Sequence, residues 1–464
     1  MFIGREKEMN TLNKHYSSGD FEFITIYGRR RVGKTTLIKE FCKNKRTILF
    51  PAIETNAKNN MITLSAAIFA CTDPGRPFPS FDTFQNALDH IAELAKHERI
   101  VFVIDEFPYL AQSDRSVSSV LQNTIDHKFK DTKLMLILCG SSMSFMERQV
   151  LGYNSPLYGR RTAQIKLLPF GYHVTAEWFP SYPPEDLALS FAVLGGVPMY
   201  LEKFSDKKSV HRNILDSVMH TDAVLFEEPS NLLKQELREP QTYNAIITAM
   251  AAGRTKLSEI SSAVGIEAGL LVKYLDNLIV LGIIKKERPL LTDNTKKTIY
   301  LIADPFFRFW YRFVPRNMAA IVSDRMPDLF DAAVKAHLPE YMGLAFEDIC
   351  KEFLLTRAEG LPFVIGQIGQ WWGGDPVTKA QMQIDIVALS SNGDEMIAGS
   401  CKYRNEPAPL NVLNELKAAV AALGGKFRKT HYYVFSKSGF SPSLTDAANN
   451  DPSVRLVPLD ELYR

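Results

Sequence analysis

Short apolar, β-branched runs alternate with helical segments through the first third of the chain. The clearest runs are FEFITIY, which leads into the helical pattern TTLIKEFCK, and then RIVFVI and KLMLILC. Apolar runs of this length are typical of strands that helices cover on both faces. The pattern therefore predicts an α/β domain with a parallel sheet over about residues 1–235.

Between residues 236 and 315 the hydrophobic period becomes that of short helices. The segments are QTYNAIITAMAAG, KLSEISSAVG and LLVKYLDNLIVLG. One face of the third carries Leu271, Tyr274, Leu275 and Leu278. A turn at Gly265 separates the second and third helices, as in helix-turn-helix units. Because IIKKERPLLTDNTKKTIYLIAD then predicts a two-stranded wing, we interpret this region as a winged helix.

The sequence pattern predicts a helical connector over residues 316–339. Over residues 340–464 it again predicts a mixture of helices and strands. The helix GLAFEDICKEFLL precedes the strands FVIGQIGQWWGG, QMQIDIVAL and MIAGSCKYR, and Asn-Gly between the last two is a strong hairpin signal. The helix VLNELKAAVAALG and the strand HYYVFSK follow. Asp385 and Lys402 are therefore expected on adjacent antiparallel strands of a C-terminal α/β domain.

A chain of 464 residues is too long for one hydrophobic core, so several domains are expected. With 46% hydrophobic residues, 23% charged residues and a formal net charge of +2, the composition excludes a polyelectrolyte partner for the whole surface. The five scattered cysteines form no CxxC pair. Neither a signal peptide nor a membrane-spanning run is found, so a cytoplasmic protein without a membrane partner is expected.

The strongest motif is GRRRVGKT, which follows the first strand and opens a helix. It matches GxxxxGK[ST], in which glycines let backbone N–H groups wrap around phosphate oxygens and the helix adds the positive end of its dipole. Lys34 is predicted to reach the β- and γ-phosphates, and the Thr35 hydroxyl to ligate Mg²⁺. The predicted nucleotide-binding residues of the loop are Gly28, Arg29, Arg30, Arg31, Val32, Gly33, Lys34, Thr35 and Thr36.

An acidic pair ends the strand RIVFVI. Phosphoryl transfer needs a carboxylate that orients Mg²⁺ and a group that activates the attacking water. Asp105 suits the metal-side role and Glu106 the role of the base, although an acidic pair alone would also fit a solvated turn.

The sequence leaves two further polar positions with either a catalytic or a structural role. Ser141 follows the strand KLMLILC at the edge where doubly wound sheets bind ligands, and its hydroxyl would sense the γ-phosphate or cap the next helix. Arg160 or Arg161, in SPLYGRRT, would stabilise transition-state charge or act as a sensor, or the two arginines would simply face water. The candidate catalytic residues are Lys34, Asp105, Glu106 and Arg160.

The segments FIGREKEMNTL, GRRRVGKTTL, FVIDEF, CGSS, SPLYGRRT and LGGVPMYL together resemble those of the prokaryotic, archaeal-type P-loop ATPases of the AAA/STAND branch. The resemblance covers about the first half of the chain. It implies an AAA-like P-loop NTPase fold with a helical lid and ATP as the nucleotide. It also implies that Phe2, Ile3, Gly4 and Arg5 lie near the adenine and that Gly195–Pro198 is a lid motif approaching the nucleotide. Related ATPases carry a winged helix at the position predicted above.

The predicted C-terminal order of helix, three strands, helix and strand resembles the PD-(D/E)XK nuclease fold, a restriction-endonuclease-like α/β fold. The resemblance implies that Glu347 is the helix carboxylate, Asp385 the metal ligand and Lys402 the charge-stabilising group. Ser400 stands two residues before the lysine, where that family has an acidic residue. Because hard oxygen ligands hold the divalent ion of such a site, the loss of one favours a retained fold with weak or absent cleavage. An active nuclease is the alternative.

Two functional classes remain open. In one, ATP and Mg²⁺ drive a conformational switch whose C-terminal parts bind protein or nucleic acid without cutting. In the other, the chain is a DNA-binding ATPase or an ATP-regulated nuclease in defence or mobile-element biology. A local basic patch on the winged helix would bind DNA, or the wing would pack against the ATPase of its own chain. Its residues are Lys273, Lys285, Lys286, Arg288, Lys296 and Lys297. Oligomer formation is compatible with either class.

Overall fold

The computed structural model describes residues 2–73, 75, 79–292, 295–374, 380–424 and 427–464. The chain forms two compact units. The first contains residues 1–169 and 197–199, and the second contains residues 170–196 and 200–464. Most of the helical lid predicted within residues 1–235 thus lies in the second unit. The limits of the individual domains remain predictions from the sequence.

The first unit is a parallel α/β layer structure. Its strands are β1 (Glu22–Tyr27), β2 (Thr47–Pro51), β3 (Ile100–Asp105), β4 (Leu134–Gly140) and β5 (Ala163–Lys166). Its helices are α1 (Glu6–Tyr16), α2 (Lys34–Cys42), α3 (Ala57–Thr72), α4 (Phe84–His97), α5 (Phe107–Ser113), α6 (Val117–His127) and α7 (Met143–Phe145). The strands pair in the order β2-β3-β4-β1-β5, and all these pairs are parallel.

Strands β1, β3 and β4 are buried along their whole length, as their apolar runs predict. Ile24 and Ile26 of β1 share one core with Leu37, Ile38 and Phe41 of α2. Because parallel strands point the same way, the residues that follow β1, β3 and β4 meet at one edge of the sheet. This edge carries the predicted nucleotide site.

The second unit begins with helices and a small hairpin. Its first helices are α8 (Tyr172–Ala176), α9 (Pro184–Leu194), α10 (Pro198–Leu201, which starts in the first unit), α11 (Val210–Ser217) and α12 (Glu228–Glu236). Next come α13 (Pro240–Ala251), α14 (Leu257–Val264), α15 (Ala268–Val280), β6 (Ile284–Glu287) and β7 (Ile299–Ile302). Strands β6 and β7 are antiparallel. The predicted three helices and hairpin are confirmed, and their interpretation as a winged helix stays a prediction.

The aromatic segment after the hairpin forms helix α16 (Pro305–Phe313). The Asp304 side chain caps it by accepting a hydrogen bond from the Phe307 backbone, and Phe306, Phe307 and Phe309 are fully buried. Two short helices, α17 (Met318–Val322) and α18 (Met326–Ala333), follow where a single connecting helix is predicted. Asp324 lies between them with a positive φ of 56°, which interrupts the helical path.

The C-terminal part is a mixed sheet flanked by helices. It consists of α19 (Leu338–Thr356), β8 (Ile365–Gly374), β9 (Gln381–Ser390), β10 (Glu395–Lys402), α20 (Leu410–Ala422), β11 (Lys429–Ser436), α21 (Pro442–Asn450) and β12 (Val454–Pro458). The strand order is β12-β11-β10-β9-β8. Strands β8, β9 and β10 pair antiparallel, whereas β10, β11 and β12 pair parallel.

The predicted order from α19 to β11 is confirmed, and Asp385 and Lys402 do lie on the adjacent antiparallel strands β9 and β10. Helix α21 and strand β12 add an edge that the sequence pattern did not predict. The likeness of this sheet to the nuclease fold stays a prediction. In the described part of the chain, no helix combines the length and apolarity needed to cross a bilayer.

Candidate functional site

The loop between β1 and α2 is shaped by glycines at its two ends. A Cβ on Gly28 would lie 2.3 Å from the Leu167 carbonyl oxygen, so the position has no room for a side chain. Gly33 has a φ of +91° and forms the N-cap of α2. A Cβ on Gly33 would lie 3.7 Å from Cγ of Pro198, which places the predicted lid proline beside the loop. The loop therefore needs glycine for its conformation and its close packing.

Lys34 is buried inside this loop. Its ammonium donates to the Gly28 carbonyl oxygen at 2.9 Å and to the Arg29 carbonyl oxygen at 3.1 Å. A buried cation needs such acceptors, because burial without partners would disfavour the charge. The loop thus holds a positive charge among backbone groups at the start of a helix, which suits an anionic ligand.

Asp105, at the end of β3, connects this strand to the loop. Its Oδ2 accepts a hydrogen bond from the Thr35 hydroxyl at 2.9 Å, and its Oδ1 accepts one from the Glu106 backbone N–H at 3.1 Å. The Asp105 side chain is buried. A hydroxyl and a carboxylate in contact are hard oxygen donors of the kind that Mg²⁺ prefers. Thr35 and Asp105 could therefore hold this ion.

Glu106 follows directly and is the N-cap of α5, with a left-handed backbone of φ 54° and ψ 47°. A non-glycine residue in this region is uncommon and is frequently associated with a functional site. Its Oε2 accepts two hydrogen bonds from Ser141, from the backbone N–H at 3.0 Å and from the hydroxyl at 2.8 Å. The predicted base and the predicted phosphate sensor are thus in direct contact.

The remaining residues of the predicted nucleotide set lie within this loop or next to it. The buried Arg5 guanidinium donates to the carbonyl oxygens of Val32 and Leu168, each at 2.9 Å, and burial lowers its pKa. Gly4, with a φ of +69°, turns the chain toward this contact. Arg30 donates to the Tyr109 hydroxyl at 2.8 Å. Arg31 has a left-handed φ of 73°, and Thr36 is exposed on α2.

Arg160 lies in a different environment. Its guanidinium makes two hydrogen bonds of 3.0 Å from Nε and one of 2.6 Å from Nη2 to the carboxylate of Asp126 on α6. It also donates to the Pro156 carbonyl oxygen at 2.9 Å. In the described structure these contacts hold it on α6 and its own loop, and its catalytic role stays a prediction.

Tertiary structure also adds residues to this site that the sequence analysis missed. Cys139, at the penultimate position of β4, is fully buried, and burial together with the nearby Asp105 carboxylate raises the pKa of its thiol well above the ordinary value. Tyr109 and Asp126 bind the predicted arginines. No local sequence signal identifies these partners, since they lie far from the arginines along the chain.

A second polar cluster lies in the second unit, at the predicted nuclease-like position. Asp385 Oδ2 accepts hydrogen bonds from the Cys401 backbone N–H at 2.8 Å and the Ser400 hydroxyl at 3.3 Å, and lies 4.0 Å from Lys402 Nζ. Asp385 Oδ1 accepts one from the Gln383 amide at 3.0 Å. N–H and O–H donors of the chain therefore already surround this carboxylate.

Glu347 of α19 completes this cluster. Burial, and then the negative charge of Asp385, raises the pKa of Glu347 to about 7. The Gln370 side chain of β8 hydrogen-bonds its carboxyl group, and Lys351 lies 3.9 Å away. Sequence reasoning missed Gln370, which looks like an ordinary polar position in a strand. Among the described residues, no group of three or more His, Cys, Asp or Glu side chains is arranged to hold a metal ion.

The neighbouring residue Asp348 faces away from that pair and into an ion-pair network. It accepts from Arg308 at 2.9 Å and from Lys285 of the wing strand β6 at 3.1 Å. Burial opposes its ionisation, but the charges of Arg308 and Lys285 outweigh burial and lower the pKa of Asp348 to about 2. Lys285, predicted as part of a DNA-binding patch, therefore lies in an internal ion pair.

A glycine loop that opens a helix at the carboxyl edge of a parallel sheet is characteristic of the P-loop nucleoside triphosphatases, and the first unit belongs to this class. Residues 2–204 match an ATPase domain found predominantly in Archaea. Residues 310–418 match a second family, described as archaeal and bacterial proteins of unknown function.

The chain is 33% identical over 419 residues to an uncharacterized protein of Methanocaldococcus jannaschii, MJECL04, with 87% of this chain and 88% of the relative covered. The chain therefore belongs to the family of this relative. Among solved structures it is similar to the Walker-type ATPase PABY2304 of Pyrococcus abyssi, with a TM-score of 0.49, 20% identity, and 67% and 96% of the two chains covered. It is also similar to the ORC2 protein of Aeropyrum pernix, with a TM-score of 0.40, 17% identity, and 70% and 95% covered.

Proposed function

We propose that the protein is an Mg²⁺-dependent ATPase that works as a conformational switch, with the second unit as its output. The observation that carries this proposal is the hydrogen-bonded series Thr35–Asp105–Glu106–Ser141 at the carboxyl edge of β1, β3 and β4. It combines a metal-binding pair and a carboxylate base beside a phosphate loop, which are the parts that phosphoryl transfer requires.

In this proposal the loop binds the phosphates of ATP. Backbone N–H groups at the start of α2 and the ammonium of Lys34 bind the β- and γ-phosphates, once Lys34 exchanges its carbonyl acceptors for phosphate oxygens. Thr35 and Asp105 hold the Mg²⁺, which neutralises charge on the phosphates when it is bound. Glu106 takes a proton from the attacking water.

The segment Gly195–Pro198 supports coupling of the two units, because it runs from one into the other. Pro198 packs beside Gly33 within the first unit. Within the second unit, a Cβ on Gly195 would lie 3.2 Å from Pro305 at the start of α16, and the Phe170 N–H donates to the Gly196 carbonyl oxygen at 2.7 Å. A displacement of Pro198 on nucleotide binding would therefore move Gly195 and Gly196, which pack within the second unit. We therefore assign this segment the transmission of the nucleotide state.

We further propose that the C-terminal sheet keeps the PD-(D/E)XK nuclease fold without efficient cleavage. Two features support this: Ser400 presents a neutral hydroxyl to Asp385, and Asp385 already accepts hydrogen bonds from Ser400, Cys401 and Gln383. A catalytic metal would have to displace these donors, and among the described residues Glu347 is the second carboxylate near Asp385. At neutral pH Glu347 is substantially protonated, since its pKa is about 7.

The proposed role of the winged helix rests on two residues of its basic patch, since Lys273, Lys286, Arg288 and Lys296 are exposed. Lys285 pairs with Asp348, and Lys297 donates to the Trp372 carbonyl oxygen of β8 at 3.5 Å. The Leu290 N–H donates to the Gln370 carbonyl oxygen at 2.8 Å, and its side chain packs against the core of the C-terminal sheet. The wing therefore serves as a contact within the second unit. This favours a partner protein over DNA as the recipient of the switch.

The test is ATP turnover by the full chain with and without double-stranded DNA, together with calorimetric binding of ATP and Mg²⁺. We expect binding and slow turnover that DNA does not stimulate, and loss of both in Lys34→Ala. Equal turnover in the Lys34→Ala variant would refute the assignment of the site. Metal-dependent DNA cleavage that disappears in Asp385→Ala would favour the alternative, an ATP-regulated nuclease.

A further inference from the structure

The carboxylate of Glu106 is anchored through one of its two oxygens. Both Ser141 donors bind Oε2, the backbone N–H at 3.0 Å and the hydroxyl at 2.8 Å. No residue within the described ranges donates a hydrogen bond to Oε1. Since Glu106 is only half-buried, one oxygen is fixed by the protein and the other is open to a water molecule.

The backbones that carry this contact are held tightly against each other. A Cβ on Gly140, just before Ser141, would lie 2.6 Å from Met146 Sδ and 2.9 Å from Pro108 Cδ. Pro108 is only two residues beyond Glu106, so the absence of a side chain at position 140 brings the start of α5 against the end of β4. On the other side, Asp105 accepts the Glu106 N–H at 3.1 Å. The separation of Glu106 and Ser141 is therefore set by packing on both sides.

We infer that Ser141 is a positioning residue for the base Glu106, and not the sensor of the γ-phosphate. A serine hydroxyl has one O–H and its backbone has one N–H, and Glu106 takes both. In this arrangement Ser141 has no donor left for a phosphate oxygen. The inference deepens the proposed ATPase function and rests on it.

The anchored orientation decides how the chemical step proceeds. The attacking water gives one proton to Glu106 Oε1 as its oxygen forms a bond to the γ-phosphorus. The bond from that phosphorus to the bridging oxygen breaks, and its electron pair leaves with ADP. Because Oε2 is tied to Ser141, Oε1 keeps a fixed direction toward the water, which a freely rotating carboxylate would not.

Three variants of the full chain test this inference. Ser141→Ala removes the hydroxyl but keeps the N–H, Ser141→Thr keeps both donors, and Ser142→Ala is the matched control. Ser142 is the next residue, and its hydroxyl caps no backbone group of α7. Thermal unfolding and binding of ADP with Mg²⁺ first establish that each variant is folded.

We expect Ser141→Ala to lower kcat for ATP by about 10- to 100-fold, since loss of orientation at a base has effects of this order. KM and the Kd for ATP should stay within about two-fold, because the interaction is not with the substrate. Ser141→Thr should recover most of kcat, and Ser142→Ala should match the unsubstituted protein.

A raised Kd and KM for ATP with kcat retained in Ser141→Ala would instead identify a phosphate sensor and overturn the inference. Unchanged kinetics in that variant, or a folded Ser141→Thr variant as slow as Ser141→Ala, would overturn it too. Failure of the proposed function itself looks different, because the unsubstituted protein would then show no turnover that depends on Lys34.

Discussion

Each unit brings a carboxylate, a hydroxyl and a lysine to its sheet, but the two sets are connected differently. In the first unit the Asp105 carboxylate accepts from the Thr35 hydroxyl beside a loop built for phosphate. In the second unit the Asp385 carboxylate accepts from Ser400 and from the Cys401 backbone, with Lys402 at 4.0 Å. Similar residue types therefore lie beside a glycine loop that opens a helix in the first unit, and on a pair of antiparallel strands in the second.

The difference lies in what must complete the metal site. Mg²⁺ at a phosphate loop needs one or two protein oxygens, because the substrate phosphates and water supply the rest. In the proposed nuclease-like site, carboxylates of the protein would have to bind the metal before cleavage, and Ser400 stands where that family has one of them. A single neutral residue therefore matters far more in the second site than in the first.

The largest effect is expected at Asp348, whose charge stabilises the fold through ion pairs and has no proposed catalytic role. Asp348→Asn leaves Arg308 buried without its counter-ion, and breaking such a pair costs about 3–5 kcal/mol. Chemical unfolding of the full chain should show this loss in the transition of the second unit. Asp331→Asn is the control: its side chain is 82% exposed, so a change below about 1 kcal/mol is expected. Equal effects of the two substitutions would contradict the buried network.

The next prediction compares the same substitution at Asp105 and at Asp385. Asp105→Asn should reduce ATP turnover by about 10²- to 10³-fold, the loss typical when one preorganised electrostatic group is removed. Asp385→Asn should leave ATP turnover within about two-fold, because the second site takes no part in hydrolysis. Steady-state turnover at saturating Mg²⁺ measures both. A comparable loss in Asp385→Asn would mean that the second site acts on the first.

The third prediction concerns pH and the second unit. The pKa of Glu347 is about 7 in the folded chain against 4.5 for the ordinary side chain, because burial and then Asp385 disfavour its charge. The protonated form is thus favoured by folding, so its stabilisation is complete below pH 4.5 and is lost as pH rises through 7. This amounts to roughly 3 kcal/mol, from the value of one pKa unit.

Urea unfolding from pH 4.5 to 8 should therefore show falling stability of the second unit, and Glu347→Gln should flatten a large part of this fall. Glu352, whose pKa burial also raises to about 7, contributes to the part that remains. Burial lowers the pKa values of His173 and His211, which changes stability in the opposite direction. Glu340→Gln, at a residue 72% exposed, should leave the profile unchanged. An identical profile in Glu347→Gln would contradict the assignment.

The smallest effect should come from placing an acidic residue at position 400. Ser400→Asp places a third carboxylate beside Asp385 and Glu347, and we expect Mn²⁺ to bind where it does not bind the unsubstituted chain. Saturation at about 100 Kd would stabilise the variant by about 2.7 kcal/mol. Thermal unfolding with and without Mn²⁺ measures this, with Ser400→Ala as control. Equal Mn²⁺ effects in both variants would mean that position 400 does not limit metal binding.

Contiguous residues determined much of the first site. The loop from Gly28 to Thr35 and the pair Asp105–Glu106 could be predicted because strand, turn and helix signals lie next to them in the sequence. The antiparallel placement of Asp385 and Lys402 followed from the Asn-Gly hairpin signal for the same reason. Functional residues that lie within one element or one turn can therefore be predicted from the sequence alone.

Tertiary structure decided which partner each polar group received. Arg160 and Asp126 are 34 residues apart, and Glu106 and Ser141 are 35 apart. A sequence pattern reports which face of an element a residue occupies, whereas a hydrogen bond requires two elements to meet within about 3 Å. The sequence by itself therefore determined the phosphate loop, its acidic pair and most of the strands. Only packing between distant segments decided that Ser141 faces Glu106 and that donors of the chain enclose Asp385.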